Sequence, residues 1–549
     1  MDTDRTLEAM GGGDLPPTLD GAGMYEALSD LFAPRLLFHR VPRLLNELVH
    51  VALGTCDLDF PARDKRFDEA TWRDNPLYHR LGQSYVVWSR WLERLADNPE
   101  LDQDRQFRAR FLARAFTSAL APTNTLPGNP TALKRAFDTG GVSLLRGARN
   151  FVTDLLANSG MPAQVDNRQF AVGETLACTP GAVIYREDMF ELLQYSASTV
   201  DVHRRPLLMV PPQINKYYYL DLAPGRSLVE YTLGEGVQYF TISWRNARSE
   251  HGGWSLDDYV AAVLRAVDVV LDVTGTDDLN LLGVCAGGLT SALALGYFAA
   301  TGRQLIHSIS LMTTMIDSGH VNVLRSMATP ALLRKMANDA QRGVVYSRRS
   351  VARSFAWMRP NDLIFNFLVN DWLLGEKPPA SDILAWNVDM ANLASAFDHD
   401  MMKVYAGNLA AAPGRLSILN TPIDLTDVDC DAFILAGSTD HITPWQACFT
   451  TSHVTGGRSE FVLALTGHVL ALVNPPGEAR ARYRVGPVPR ELTHDEWLAR
   501  STEHQGSWWP RWTKWLTARS GDNTPAPSRL GAPCYPAIEP APGRYLRET

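Results

Sequence analysis

The sequence predicts an α/β fold: a layered sheet of mainly parallel strands, preceded by a mainly helical N-terminal domain. Three observations lead there. Apolar residues between Met24 and about Val200 fall mostly at helical spacing. After Pro206, short strand-like runs alternate with helix-length segments. One of those runs ends in the bend Gly283-Val284-Cys285-Ala286-Gly287, which opens directly into a helix-length stretch. Helical spacing buries one face of a helix, and strand–helix alternation is the pattern of parallel βα units.

Length and composition narrow the possibilities. At 549 residues the chain exceeds one compact domain, so two domains, or one with large insertions, are expected. With 45% hydrophobic residues, 20% charged residues and a net charge of -8, the chain reads as an ordinary globular protein. The negative charge argues against nucleic acid as a partner. Residues 1 to about 25, with Gly11 to Gly13 and Pro16 to Pro17, offer little to bury and are expected to form a flexible tail. Met1 to Asp20 carries neither the basic flank nor the apolar core of a secretory signal, and no apolar run reaches transmembrane length. A cytoplasmic protein without a transmembrane segment is therefore expected. The six cysteines lack C-x-x-C spacing and are expected to be reduced. With no H-E-x-x-H or paired Cys/His cluster, no metal is expected.

The helical domain is assigned to residues 26–200, where Phe107, Phe111, Leu112, Ala115 and Phe116 mark an apolar face and Pro122, Pro127 and Pro130 interrupt it. The catalytic domain is assigned to residues 201–549. Leu207 to Val210 and Val237 to Ser243 are expected strands. Ser255 caps the next helix, Asp257 and Asp258 suit its dipole, Val260, Val263, Leu264, Val267, Val270 and Leu271 form its face, and Gly275 stops it. Leu279 to Val284 is a strand and Gly287 to Ala300 a helix. From His320 to about Pro422 the alternation lapses into aromatic-rich helical stretches, which predicts a cap inserted over the site. Its Phe365, Phe367, Trp372 and Trp386 are candidates for an apolar lining. Strands resume at Ala432 to Leu435 and Phe461 to Leu465, and the proline-rich tail from Ala518 is expected to run extended along the surface.

The bend around Cys285 has the form of the G-x-S-x-G nucleophile elbow with cysteine in the serine position, which makes the fold class an α/β-hydrolase fold with a cap insertion. Glycines at 283 and 287 suit a strained turn where a side chain would meet the neighbouring strand or helix. A thiol at a helix N-terminus is favoured as the reactive thiolate. Acid and histidine follow in the order of this fold. Asp440 lies past the strand ending at Leu435, and His468 past the strand ending at Leu465. Each alone is commonly a loop residue, but three such groups at strand ends form a triad. The oxyanion hole needs two backbone N–H donors. Ala286 supplies the first, and because Pro211 and Pro212 have no N–H, the second falls to Gln213, Ile214 or Asn215.

Several runs resemble polyhydroxyalkanoate synthases. They are Val210-Pro211-Pro212-Gln213-Ile214-Asn215-Lys216-Tyr217, Ser243-Trp244-Arg245-Asn246, Gly283 to Gly288, Asp440-His441-Ile442-Thr443-Pro444-Trp445, and Gly467-His468 with Asn474-Pro475-Pro476-Gly477. Phe355 to Asp362 and Gly543-Arg544-Tyr545 are most similar to the medium-chain-length (class II) branch. Ala286 and Val469-Leu470-Ala471 depart from the usual pattern beside the expected acyl pocket. The resemblance implies an acyltransferase that polymerises 3-hydroxyacyl-CoA thioesters into polyester and releases coenzyme A. No cofactor is needed, since the coenzyme A thioester is the substrate. Cys285 would carry the acyl group, His468 would activate it, and Asp440 would assist deprotonation of the 3-hydroxyl. His441 would be structural, and Trp386 and Asn387 match a pair in the family's cap. The resemblance also implies a homodimer at the granule surface, with the growing chain and granule-associated proteins as partners. A thiol-dependent esterase or depolymerase is the alternative enzyme. A non-catalytic granule protein, using Trp508, Trp509, Trp512 and Trp515 to touch polymer, is the alternative outside catalysis; those tryptophans also fit the packed face of a helix.

Overall fold

The structure, a computed structural model, describes residues 21–62 and 64–548. The expected flexible tail lies outside the described residues up to residue 20, and from Gly21 the chain is helical, in Gly21–Leu31. The chain divides into two compact units, Met1–Asn167 with Arg349–Leu384, and Arg168–Arg348 with Ala385–Thr549.

The first unit is built of helices whose starts are written locally. Asn75 and Asn129 each cap a helix that has proline in its first turn, Pro76–Ala96 and Pro130–Asp138, and Asp102 caps Gln103–Ala119. Phe67, Trp72, Tyr85, Val86 and Ala121 form a buried cluster with Phe60 packed against it. The middle of the expected cap, Arg349–Leu384, belongs to this unit. Gly147, on the helix Val142–Ala157, leaves room for the Trp372 carbonyl, which a Cβ would meet at 1.9 Å. Trp372 donates from Nε1 to Asp154 at 2.8 Å and packs edge-on against Phe151 at 5.0 Å between centroids. Trp372, expected to line a pocket, is thereby committed to the helical unit.

The second unit carries an eleven-stranded sheet. In chain order its strands are β1 (Gly181–Arg186), β2 (Phe190–Tyr195), β3 (Leu207–Val210), β4 (Tyr239–Trp244), β5 (Leu279–Val284), β6 (Ile306–Met312), β7 (Asp431–Gly437), β8 (Ser459–Ala464), β9 (Arg482–Gly486), β10 (Thr502–Gln505) and β11 (Glu539–Pro540). Their spatial order is β10-β9-β8-β7-β6-β5-β3-β4-β2-β1-β11. The run from β4 to β8 is parallel, and antiparallel strands extend both edges. β3, β5 and most of β6 are buried on both faces, as parallel strands covered by helices must be.

The hairpin β1–β2 lies inside the stretch expected to be helical to about residue 200, so that domain ends earlier, near Asn167. β2 is buried along its whole length although it contains Glu191 and Gln194. Mixed polar and apolar residues disguised it as one side of a helix. Its buried carboxylate is held by Arg186 at 2.5 Å.

The helix Leu256–Thr274 begins at Ser255 with a reciprocal cap to Asp258 and ends at Gly275 with φ 66°. The helix Ala286–Ala300 follows β5 without a spacer beyond Cys285. The tryptophans of the helix Trp509–Thr517 and its cap are buried, and Trp508, Trp509 and Trp512 donate to Ala471, Leu472 and Ser310. They form a packed helix face, which removes the reading in which they touch polymer. Among the described residues, no helix is long and apolar enough to cross a membrane.

Candidate active site

Cys285, Asp440 and His468 leave the C-terminal ends of β5, β7 and β8, neighbouring strands apart from the intervening β6. In an open parallel sheet that edge is where ligands bind. Cys285 sits at φ 52°, ψ -122°, a conformation that L side chains rarely adopt and that neighbouring structure must enforce. The glycines around it show how. A Cβ on Gly283 would lie 2.6 Å from the Gly288 Cα, and one on Gly287 would lie 2.4 Å from the carbonyl oxygens of Val210 and Pro211. The helix therefore starts against the end of β3, and the bend turns the thiol out of the sheet.

Asp440 accepts four hydrogen bonds. Oδ1 takes the N–H groups of Ile442 at 2.8 Å and Thr443 at 3.0 Å, and Oδ2 takes the Thr443 hydroxyl at 2.7 Å and faces His468 Nδ1 at 2.5 Å. Burial alone would push this carboxyl up, but His468 and Thr443 outweigh it and hold it below the usual carboxylate range. For His468, burial opposes the charged ring. The charges of Asp440 and Cys285 override it, and the imidazole is lifted well above its ordinary value. His468 also interacts electrostatically with the Cys285 side chain. With Nδ1 committed to Asp440, Nε2 remains to face the thiol.

Burial disqualifies other cysteines as nucleophiles. It pushes the Cys430 thiol up to about 12 and the Cys448 thiol well above the ordinary range, although Cys448 lies near the site with its Sγ 3.6 Å from the Thr443 carbonyl. All six cysteines are free.

Ala286 opens its helix directly after Cys285. The loop after β3 abuts the same bend. Gln213 donates from Nε2 to Thr290 at 3.0 Å, Ile214 accepts from the Ala391 N–H at 3.4 Å, and Asn215 bridges to Met390. Trp386 is buried and donates to the Lys216 carbonyl at 2.8 Å, while its ring lies 5.1 Å from that of Tyr219. It therefore supports the loop. Asn387 beside it, and His441 beside Asp440, are half-buried.

Sequence reasoning missed three neighbours. Thr443 gives Asp440 two of its four bonds, and its signal was the Asp-x-x-Thr spacing of a side chain closing on the backbone three residues on. Tyr219 and Tyr405 are buried, and their hydroxyls feel the charge of Cys285 after that of burial itself. The Tyr-Tyr-Tyr run at 217–219 could have drawn attention to the first; nothing local marked the second.

Residues 63–232 match the family described as the N-terminus of poly-beta-hydroxybutyrate polymerase (PhaC), and residues 206–475 match the alpha/beta hydrolase fold. The chain is 43% identical over 502 residues to poly(3-hydroxyalkanoate) polymerase 1 of Ectopseudomonas oleovorans, covering 91% of this chain and 89% of that one. It is 40% identical over 549 residues to polymerase 2 of the same organism, covering 100% and 97%. To the poly(3-hydroxyalkanoate) polymerase subunit PhaC of Cupriavidus necator it is 37% identical over 504 residues, covering 90% and 85%. Among solved structures, a hydrolase from Pseudomonas aeruginosa is similar at 15% identity and a TM-score of 0.31, covering 53% of this chain and 92% of that one.

Proposed function

The chain belongs to the poly(3-hydroxyalkanoate) polymerase family, and from that premise we propose that Cys285 carries each 3-hydroxyacyl group as a thioester between coenzyme A and the growing polyester. The observation that carries the reading is the thiol at a strained bend, in electrostatic range of an imidazole that a buried carboxylate keeps charged.

In the first half-reaction the thiolate attacks the carbonyl carbon of the 3-hydroxyacyl-CoA. The oxyanion is held by the N–H of Ala286 and one from the loop of Gln213, Ile214 and Asn215. The C–S bond to coenzyme A breaks, and the His468 imidazolium protonates the departing thiolate. One thioester has replaced another, so the bond energy is retained for the oxoester that follows. Acylation also removes the negative charge from sulfur. Having given its proton to coenzyme A and no longer facing a charged sulfur, His468 is neutral and free to take the proton of the attacking 3-hydroxyl. Attack by that oxygen on the thioester forms the ester and returns the thiolate. The Asp440 side chain has no exposed surface and both its oxygens are engaged, so its part in deprotonating the hydroxyl is exerted through His468.

The same proposal places the protein in the cytoplasm at the surface of the polyester granule, as a homodimer with granule-associated proteins as further partners. Phe38, Leu45, Val49 and Leu53 are exposed along the helix Pro34–Leu53 and support contact with an apolar surface. The test measures coenzyme A release and polymer mass together, with short- to medium-chain 3-hydroxyacyl-CoA and purified protein. Release matched by polymer is expected, with both falling by about a hundredfold or more in Cys285→Ser at unchanged folding. Free hydroxy acid without polymer, or undiminished polymer from the serine variant, would overturn the assignment.

A further inference from the structure

The loop between β3 and Tyr217 is buried along most of its length and tied down by discrete bonds. Behind it lies a narrow cleft, with room for about one water, whose lining includes Gln213, Asn215, Ser243, Trp244, Tyr545 and Leu546. Gln213 Oε1, Asn215 Oδ1 and Ser243 Oγ, all from residues of that lining, are buried without a hydrogen-bond partner in the protein.

Lys216 supplies the bonds that tie the loop down. Its side chain is 8% exposed, and its Nζ meets Asp389 Oδ1 at 2.9 Å and donates to the Leu546 carbonyl, 330 residues away in the chain, at 2.8 Å. Its own carbonyl accepts from Trp386 Nε1. The far end of the bridge is anchored in turn. Tyr545 donates its N–H to Glu191 at 3.1 Å and its hydroxyl to the Glu187 carbonyl at 2.8 Å, and it lies under the Arg245 guanidinium at 4.9 Å. Arg245 also pairs with Glu548 at 3.1 Å. Tyr545 and Leu546 are both 2% exposed, so this end of the chain is built into the fold.

We infer that residues 543–548 are a positioning element for the oxyanion loop and that Lys216 is the residue through which they act. Lys216 touches neither substrate nor thiol in this scheme; it sets where the Gln213–Asn215 amides point. The inference rests on the reading that this loop supplies an oxyanion donor. A donor displaced by about 1 Å loses much of its effect on a transition state while substrate binding is little changed.

The test compares Lys216→Met in the full-length protein with a chain truncated after Gly543 and with the two changes combined. Single-turnover coenzyme A release should slow by about tenfold or more in each, KM for the thioester should stay within about twofold, and the combination should be no slower than the worse single change. Hydrogen exchange of the Lys216→Met protein should rise at residues 213–217 and stay unchanged in β5. Unaltered exchange at the loop would overturn the inference, as would exchange raised throughout the unit, which marks a merely structural role. Faster loop exchange at an unchanged acylation rate would uphold the brace and remove the loop from the oxyanion hole.

Discussion

At the scale of single residues, the site works by setting charges against burial. Asp440 would resist ionisation in its surroundings were it not for His468 and Thr443, and His468 would shed its proton were it not for Asp440 and Cys285. The two shifts have opposite signs. The depressed carboxyl of Asp440 stabilises the fold above its ordinary value near 4, an effect lost as pH falls through its lower folded value. The raised imidazole of His468 stabilises the fold below its ordinary value near 6.5, an effect lost only as pH rises through its higher folded value. Both contributions are present together in the window between those two ordinary values. Asp440→Asn keeps the shape and removes the charge. Its kcat should fall by about a hundredfold to ten-thousandfold, and the alkaline limb of its pH–rate profile should move to lower pH as His468 loses its proton more readily. An alkaline limb that stays in place would show that Asp440 does not control the imidazole.

At the scale of elements, the strand–bend–helix unit of β5, Cys285 and Ala286–Ala300 stores strain to aim one side chain. Cys285 holds φ 52° because the Gly283 and Gly287 contacts leave the backbone no other path. A non-glycine residue there costs about 1–3 kcal/mol. Cys285→Gly should therefore be inactive yet more stable than Cys285→Ala by about 1 kcal/mol, as read from urea denaturation. Equal stability of the two variants would mean that the bend is unstrained. The small residues of this unit are legible in the sequence, because each contact lies within a few residues or on an adjoining strand. The hairpin β1–β2 is not, since a buried strand carrying Glu191 departs from the alternation by which strands are recognised.

At the scale of the whole molecule, segments distant in sequence complete each unit. Arg349–Leu384 is counted with the N-terminal helices, and there Asp371 is 1% exposed with neither carboxylate oxygen hydrogen-bonded. Burial first, then the charges of Asp154 and Glu376, push it up to about 7. A carboxyl raised in the fold binds a proton that the unfolded chain has released, so stability declines as pH rises from about 4 to about 7. Asp371→Asn, which imitates the neutral form, should raise the melting temperature at pH 8 and change it little at pH 4. An equal effect at both values would show that Asp371 does not titrate between them.

The sequence by itself determined the α/β-hydrolase architecture of the catalytic half, the family, and the order of thiol, acid and imidazole along the chain. Those features are written in local sterics, caps and strand ends, where a few neighbouring residues suffice to state them. Only the tertiary structure decided that residues 349–384 join the helical unit and that the last residues of the chain return to Lys216. Contacts between residues hundreds of positions apart follow from how the chain packs as a whole. They leave no periodicity, cap or turn in the segments that make them.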